Sequence, residues 1–388
     1  MEKTVIIGTG FIGGYITKGL KKLLGSEFSD NVCGIKKRSE GLKKRSAELN
    51  MPIYSEPILE VLRREQPSLI LLCPSPSAVP AIVENELLPY YNECRTKHFP
   101  LPYLISFAPS PSIDVISDLI GNDISCVKVL PNVFDNVKGI DITPIGINYV
   151  TPAHGKALPS DFRETLDTIL SVYGETIVMN DRDSLILLSG KITSHVCCEL
   201  CYAIEAAYRM TDFTEHSGSD SNISLSINKL GDALRYAQHE LFPALPFISP
   251  CEKPDTHPLP DGFMHALAEA WFDGLHRFTV SMNPSLTENA SFKADALAFL
   301  LNVFPISFET KAELEQDTLN AATKGGVLER GVEYFYENVE EALRSTVIRS
   351  VQTGTLDASF FAKLSEQAEN MSREAYKRSC SLTKATEI

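Results

Sequence analysis

Apolar positions in the first part of the chain fall in short runs rich in β-branched residues: Thr4 to Ile7, Val32 to Ile35, Ser68 to Leu72, Tyr103 to Phe107, Cys126 to Leu130 and Ile145 to Tyr149. Runs of this length, bounded by Gly, Pro and polar residues, predict buried strands. Between them the spacing lengthens to a helical period. Tyr15 to Leu24 reads as a helix closing on Gly25, a charged helix follows the second strand, and Ile113 to Ile120 reads as another. Alternation of strand and helix predicts a mostly parallel sheet with helices on both faces. After about Thr151 long helical patterns take over, in Asp161 to Tyr173, Asp183 to Arg209 and, in pieces, Ala312 to Arg349. Thr211 to Ser224 and Leu245 to Pro260 are rich in Ser, Pro, Gly and Asp and read as loops within that helical part. From Asp357 onward an amphipathic helix leads into a polar tail. The expectation is an α/β domain over residues 1–155, an all-helical domain over 156–350 with an insertion near 211–260, and a C-terminal helix and tail over 351–388.

Composition narrows the partners. Of 388 residues, 36 are Lys or Arg and 50 are Asp or Glu, a formal charge of −14. That balance argues against a broad nucleic-acid footprint and against adsorption to an anionic membrane. No stretch approaches the ~18 consecutive apolar residues of a spanning helix. Met1 leads straight into a strand and glycine turn, leaving no room for a cleavable leader, so a cytoplasmic location is expected. Nine cysteines, an odd number in a long chain, fit reduced thiols better than a disulfide framework.

The most informative segment is Gly8-Thr9-Gly10-Phe11-Ile12-Gly13, which follows one predicted strand and opens a predicted helix. In that context each glycine has a task in holding a dinucleotide. The first makes the tight turn, the second lets backbone approach a pyrophosphate, and the third lets helix pack on strand. Backbone N–H groups at the helix start then face the phosphates. An NAD site usually places Asp or Glu at the end of the second strand, for the ribose 2′-hydroxyl. Here the segment reads Ile35-Lys36-Lys37-Arg38-Ser39, with Lys43, Lys44 and Arg45 extending the basic patch. Lys37 and Arg38 with the Ser39 hydroxyl suit a 2′-phosphate, and NADP is the expected cofactor, although a solvated helix start has the same composition.

With these pieces placed, the chain resembles the pyrroline-5-carboxylate reductase family, a Rossmann domain followed by an all-α dimerisation domain. The resemblance rests on VIIGTGFIGG, on Lys37-Arg38-Ser39, and on LILLCPSP, which puts Cys73, Pro74 and Ser75 beside the cofactor. It continues with VKVLPN, where Pro131 and Asn132 match the family's Arg-x-Met-Pro-Asn. Ser189-Gly190 stands where the family begins a helix rich in Ser and Gly, and Ala322-Thr323-Lys324-Gly325-Gly326 where it has Ser-Pro-Gly-Gly-Thr. Departures are visible too. The family's strand-three Lys falls on Ser75, and the hydroxyl residues after its paired glycines fall on Val327 and Leu328.

The resemblance implies NADPH-dependent hydride transfer to the C=N carbon of a cyclic imino acid, a small anionic substrate, in a homodimer or larger homo-oligomer. Backbone N–H groups of Gly325 and Gly326 would hold the carboxylate, with the Thr323 hydroxyl beside them and Ser189 and Gly190 opposite. Lys191 is the candidate proton donor, with His195 one helical turn away. A Lys followed four residues later by a polar residue also resembles the β-hydroxyacid dehydrogenases, which leaves hydroxy- or keto-acid chemistry open. A cofactor-binding protein without turnover is open as well, favoured by Val327 and Leu328. Cys197, Cys198 and Cys201 with His195 and Glu199 spread over several faces of a helix, so no metal site is expected there.

Overall fold

The computed structural model describes residues 3–37, 41–131, 146–211, 259–287 and 326–386, with 233–234, 236–237 and 240–241 besides. Two compact units divide the chain. One contains the sheet with its helices, up to Leu185, and the end of the last helix from Ser379; the other contains Ile186 to Arg378.

The sheet has eight strands in the order β3-β2-β1-β4-β5-β6-β7-β8. They are β1 (Thr4–Ile7), β2 (Val32–Ile35), β3 (Ile53–Tyr54), β4 (Leu69–Leu72), β5 (Tyr103–Ser106), β6 (Cys126–Leu130), β7 (Gly146–Pro152) and β8 (Gly174–Val178). β1 to β6 are parallel, β7 runs antiparallel to β6, and β8 runs parallel to β7. The first six strands have the doubly wound Rossmann order, in which the winding reverses between β1 and β4 and leaves a crevice beyond their carboxyl ends.

Side chains alternate between the two faces with the period of a strand. Ile6, Leu71, Ile105, Val127 and Val150 pack with Ile16 and Leu20 of α1 (Phe11–Leu24) and with Phe162 and Ile169 of the helix Ser160–Leu170. Val5, Ile70, Leu104 and Cys126 pack on the other face against Val61, Leu62, Tyr91 and Ile116. A sheet covered on both sides explains why its strands read as unbroken apolar runs.

The sheet extends well beyond residue 155. The segment expected to be helical up to Tyr173 leaves its helix at Leu170, and Gly174, at φ 131°, turns the chain into β8. Asn148, fully buried in β7, holds that reversal: its Nδ2 donates to the carbonyls of Leu170 (3.3 Å), Gly174 (3.3 Å) and Glu175 (3.4 Å). β3, two residues long, likewise goes unseen in the hydrophobic pattern.

Among its described residues the second unit is all helix. Its core joins Leu200 and Ile204 of the helix Asp181–Thr211 to Phe263 and Trp271 of Phe263–Met282. Phe335 of Val327–Asn338, Val347 of Glu340–Thr353, and Leu364 and Met371 of Ala358–Thr386 complete it. A Cβ at Gly274 would lie 2.4 Å from the Ser365 carbonyl oxygen, so only glycine permits this helix crossing. The last helix continues to Thr386 through the stretch expected to be a polar tail. Most of the expected insertion near 211–260 lies outside the described residues. Among the described residues no helix is long and apolar enough to cross a membrane.

Candidate functional site

The carboxyl end of β1 passes into the glycine turn. Gly8 has φ 94°, and its N–H donates to the Ile35 carbonyl of β2 at 3.0 Å. A Cβ there would lie 2.7 Å from the Cys73 carbonyl oxygen and 2.8 Å from the Pro74 nitrogen. At Gly13 a Cβ would lie 2.0 Å from the Gly8 carbonyl oxygen, so α1 rests directly on the turn. Gly10 is different. It is exposed, has φ −74°, and a Cβ there would meet nothing within 4 Å. The fold itself therefore requires the first and third glycines, whereas the second faces open space. Gly10 is also the cap residue of α1, and no side chain caps that helix start, whose first turn carries half-buried Phe11 and Ile12. The positive end of the helix and its first N–H groups could hold an anion there.

Thr9 points the other way. It is buried, its Oγ1 has no hydrogen-bond partner, and its methyl would lie 2.6 Å from a Cβ at Gly34. Cys73 donates its backbone N–H to the Ile7 carbonyl at 2.8 Å, and burial pushes its thiol well above the ordinary range. Cys73 and Pro74 thus form the wall behind Gly8, while Ser75 is exposed at the start of the short turn Pro76–Ala78. Pro131 ends β6, half-buried; Asn132 lies outside the described residues.

Beyond β2, Lys36 donates its backbone N–H to Tyr54 of β3 at 2.9 Å, and exposed Lys37 follows. Arg38 and Ser39 lie outside the described residues. Arg45 does not extend the basic patch as its sequence position suggested. Its guanidinium turns inward and donates from Nε to the Thr9 carbonyl and from Nη2 to the Gly10 carbonyl, both at 3.0 Å.

A second polar group escaped the sequence reading. Lys128 lies in the middle of β6, 1% exposed, in register with Ser106 of β5 and Thr151 of β7. Its Nζ donates to the Asp181 carboxylate and, at 3.4 Å, to the Pro109 carbonyl. Burial pushes the ammonium down to about 7, against the opposing pull of Asp114; the Asp181 contact pulls in the same direction as Asp114. The Ser106 and Thr151 hydroxyls beside it are buried without a partner. A lone cation inside the apolar run CVKVL was the available signal.

The remaining candidates lie in the second unit. Ser189 and Gly190 are buried in the third turn of the helix Asp181–Thr211, not at its start, because that helix begins at Asp181. Lys191 follows them on the same helix; its side chain is outside the described residues. Gly326, buried, immediately precedes the helix Val327–Asn338, again with no side-chain cap; Thr323 and Gly325 lie outside the described residues. The two helices touch: Tyr336 donates its hydroxyl to buried Glu199 at 2.5 Å.

No protein-family profile matches the chain, and no curated protein is similar to it in sequence. Among solved structures, a pyrroline-5-carboxylate reductase from Coxiella burnetii is 11% identical, with 92% of this chain and 99% of that one covered at a TM-score of 0.39. Glycerol-3-phosphate dehydrogenase from Saccharomyces cerevisiae is 14% identical, with coverage of 95% and 99% and a TM-score of 0.42. A prephenate dehydrogenase from Aquifex aeolicus is 13% identical over 56% of this chain and 73% of that one, at a TM-score of 0.38.

Proposed function

We propose that the chain is an NADP-dependent oxidoreductase that reduces a small anionic C=N substrate of the cyclic imino acid class. One observation carries the cofactor reading. At the winding reversal of a doubly wound sheet, Gly8 and Gly13 are closed by backbone while Gly10 alone faces open space at an uncapped helix start. A loop with that division of labour accommodates a pyrophosphate, and a turn serving geometry alone has no use for the open glycine. Exposed Lys37, where an NAD site would carry a carboxylate, supports the 2′-phosphate and hence NADP, with Arg38 and Ser39 assigned to the same group.

The bound nicotinamide would supply the hydride. The chain's own residues would hold the substrate carboxylate on the backbone N–H groups of Gly325 and Gly326, with Thr323 beside them, and position the ring against Ser189 and Gly190. Lys191 would protonate the nitrogen. Orientation of this kind supplies much of the rate in such a reaction. The helical unit is also assigned to self-association, tested by light scattering, where a monomer mass would contradict it.

The experiment is a screen of NADPH oxidation against cyclic imino acids and against 2- and 3-keto acids. Turnover with imino acids alone is the expected result. Turnover with keto acids alone moves the chain to hydroxyacid chemistry, and tight NADPH binding with no turnover makes it a cofactor-binding protein.

A further inference from the structure

The glycine segment contains one glycine more than a dinucleotide turn needs. Gly14, the fourth, is explained by neither the turn nor the helix–strand contact. A Cβ on it would lie 2.3 Å from Nη2 of Arg45, 31 positions later by residue number. Glycine at this point lets the guanidinium come close against the first turn of α1.

Arg45 comes from the helix Leu42–Leu49, after β2, and uses its whole fork. Nε donates to the Thr9 carbonyl at 3.0 Å, Nη2 to the Gly10 carbonyl at 3.0 Å, and Nη1 to the Glu48 carboxylate at 3.1 Å. Gly10's carbonyl also accepts from the Gly14 N–H at 2.8 Å, so its orientation is set twice. A trans peptide sends its C=O and the following N–H in opposite directions. With the Thr9 carbonyl drawn onto Arg45, the N–H of Gly10 is turned away from the guanidinium. The cation, part-compensated by Glu48, also lies near the positive end of α1.

We infer that Arg45 is a positioning residue for the pyrophosphate loop: seated on Gly14, it fixes the loop's peptide planes and contributes its charge from behind, and takes no part in choosing between NADP and NAD. This rests on the cofactor reading above. It separates two tasks in one basic stretch, with the 2′-phosphate left to Lys37 and its neighbours.

The test measures dissociation constants of NADPH, NADH and ADP, by calorimetry, for the parent chain and for Arg45→Met, Arg45→Lys and Gly14→Ala, with circular dichroism melts to verify folding. ADP carries the pyrophosphate without a 2′-phosphate. Arg45→Met is expected to weaken all three ligands by a common factor of about ten, leaving the NADPH-to-NADH ratio unchanged. Gly14→Ala, which keeps the charge but displaces the guanidinium, should reproduce that loss in a helix that favours alanine. Arg45→Lys, with the charge but not the fork, should recover part of it. Loss confined to NADPH overturns the inference by assigning Arg45 to the 2′-phosphate. Unchanged affinities in folded variants overturn it as well, with the cofactor reading intact. A parent chain that binds none of the three overturns both.

Discussion

Replacing the three turn glycines one at a time by alanine should separate what the fold needs from what a ligand needs. At Gly8 the new methyl meets the Cys73 carbonyl at 2.7 Å, and the residue is held at φ 94°. A left-handed conformation costs an L-residue ~1–2 kcal/mol, and overpacking against backbone costs a further ~1–3 kcal/mol, so Gly8→Ala should lose ~2–5 kcal/mol. At Gly13 the methyl would lie 2.0 Å from the Gly8 carbonyl oxygen, also backbone. That approach is the tightest of the three, so Gly13→Ala should cost at least the ~3 kcal/mol upper end of overpacking, well above the ~1 kcal/mol that alanine gains over glycine inside a helix. Gly10→Ala meets nothing within 4 Å at φ −74° and should leave stability within ~0.5 kcal/mol of the parent. Its effect should appear in binding instead. A methyl in the open space keeps a phosphate from the loop N–H groups, and losing one bond to a charged group costs ~1.5–3 kcal/mol, a factor of ~10–150 in affinity. Circular dichroism melts and NADPH titration read the two effects separately. A Gly10→Ala protein that melts as early as Gly8→Ala, or that binds NADPH like the parent, refutes the division of labour.

Other perturbations test the rest. Asp181→Ala should destabilise more than Lys128→Met in chemical denaturation below pH 7, where Lys128 keeps its proton and loses its carboxylate partner, since Asp181 is partly exposed and can be solvated when left alone; equal losses there would contradict the asymmetry. Lys128 titrates at about 7 in the fold against an ordinary 10.5, so between those values the unfolded chain binds more protons. The group's contribution to stability therefore rises with pH across that window, and the parent should gain on Lys128→Met as pH rises from neutral. Lys37→Asp, at an exposed site, should narrow or reverse the preference for NADPH over NADH without changing the melt; an unchanged ratio assigns selectivity elsewhere. Lys191→Met should lower kcat, and Gly326→Val should raise KM while NADPH affinity survives; loss of NADPH affinity in either would contradict the roles assigned.

Much of the first unit was legible because its signals are local. Thr4 to Ile7 followed by Gly8, Gly10 and Gly13 specifies strand, turn and helix within a few residues, and the structure has that order. β8 was not legible, since GETIV becomes a strand through pairing with β7 and through Asn148, whose amide reaches across to Leu170, Gly174 and Glu175. Arg45 looked like one more cation in a basic stretch; only the fold brings it onto Thr9 and Gly10, and Gly14 marked its seat without naming the occupant. Lys128 left a signal, a cation inside CVKVL, that the sequence reading passed over, and its partner Asp181 is 53 residues away. The helix read as Asp183 to Arg209 runs from Asp181 to Thr211, which leaves Ser189 and Gly190 inside it where the family resemblance implied a helix entry.

The most direct measurement is isothermal titration of the full parent chain with NADPH and, separately, with NADH. Binding of both, with the smaller dissociation constant for NADPH, is the expected result; no heat of binding from either at millimolar concentration would contradict the cofactor seat proposed at Gly8, Gly10 and Gly13.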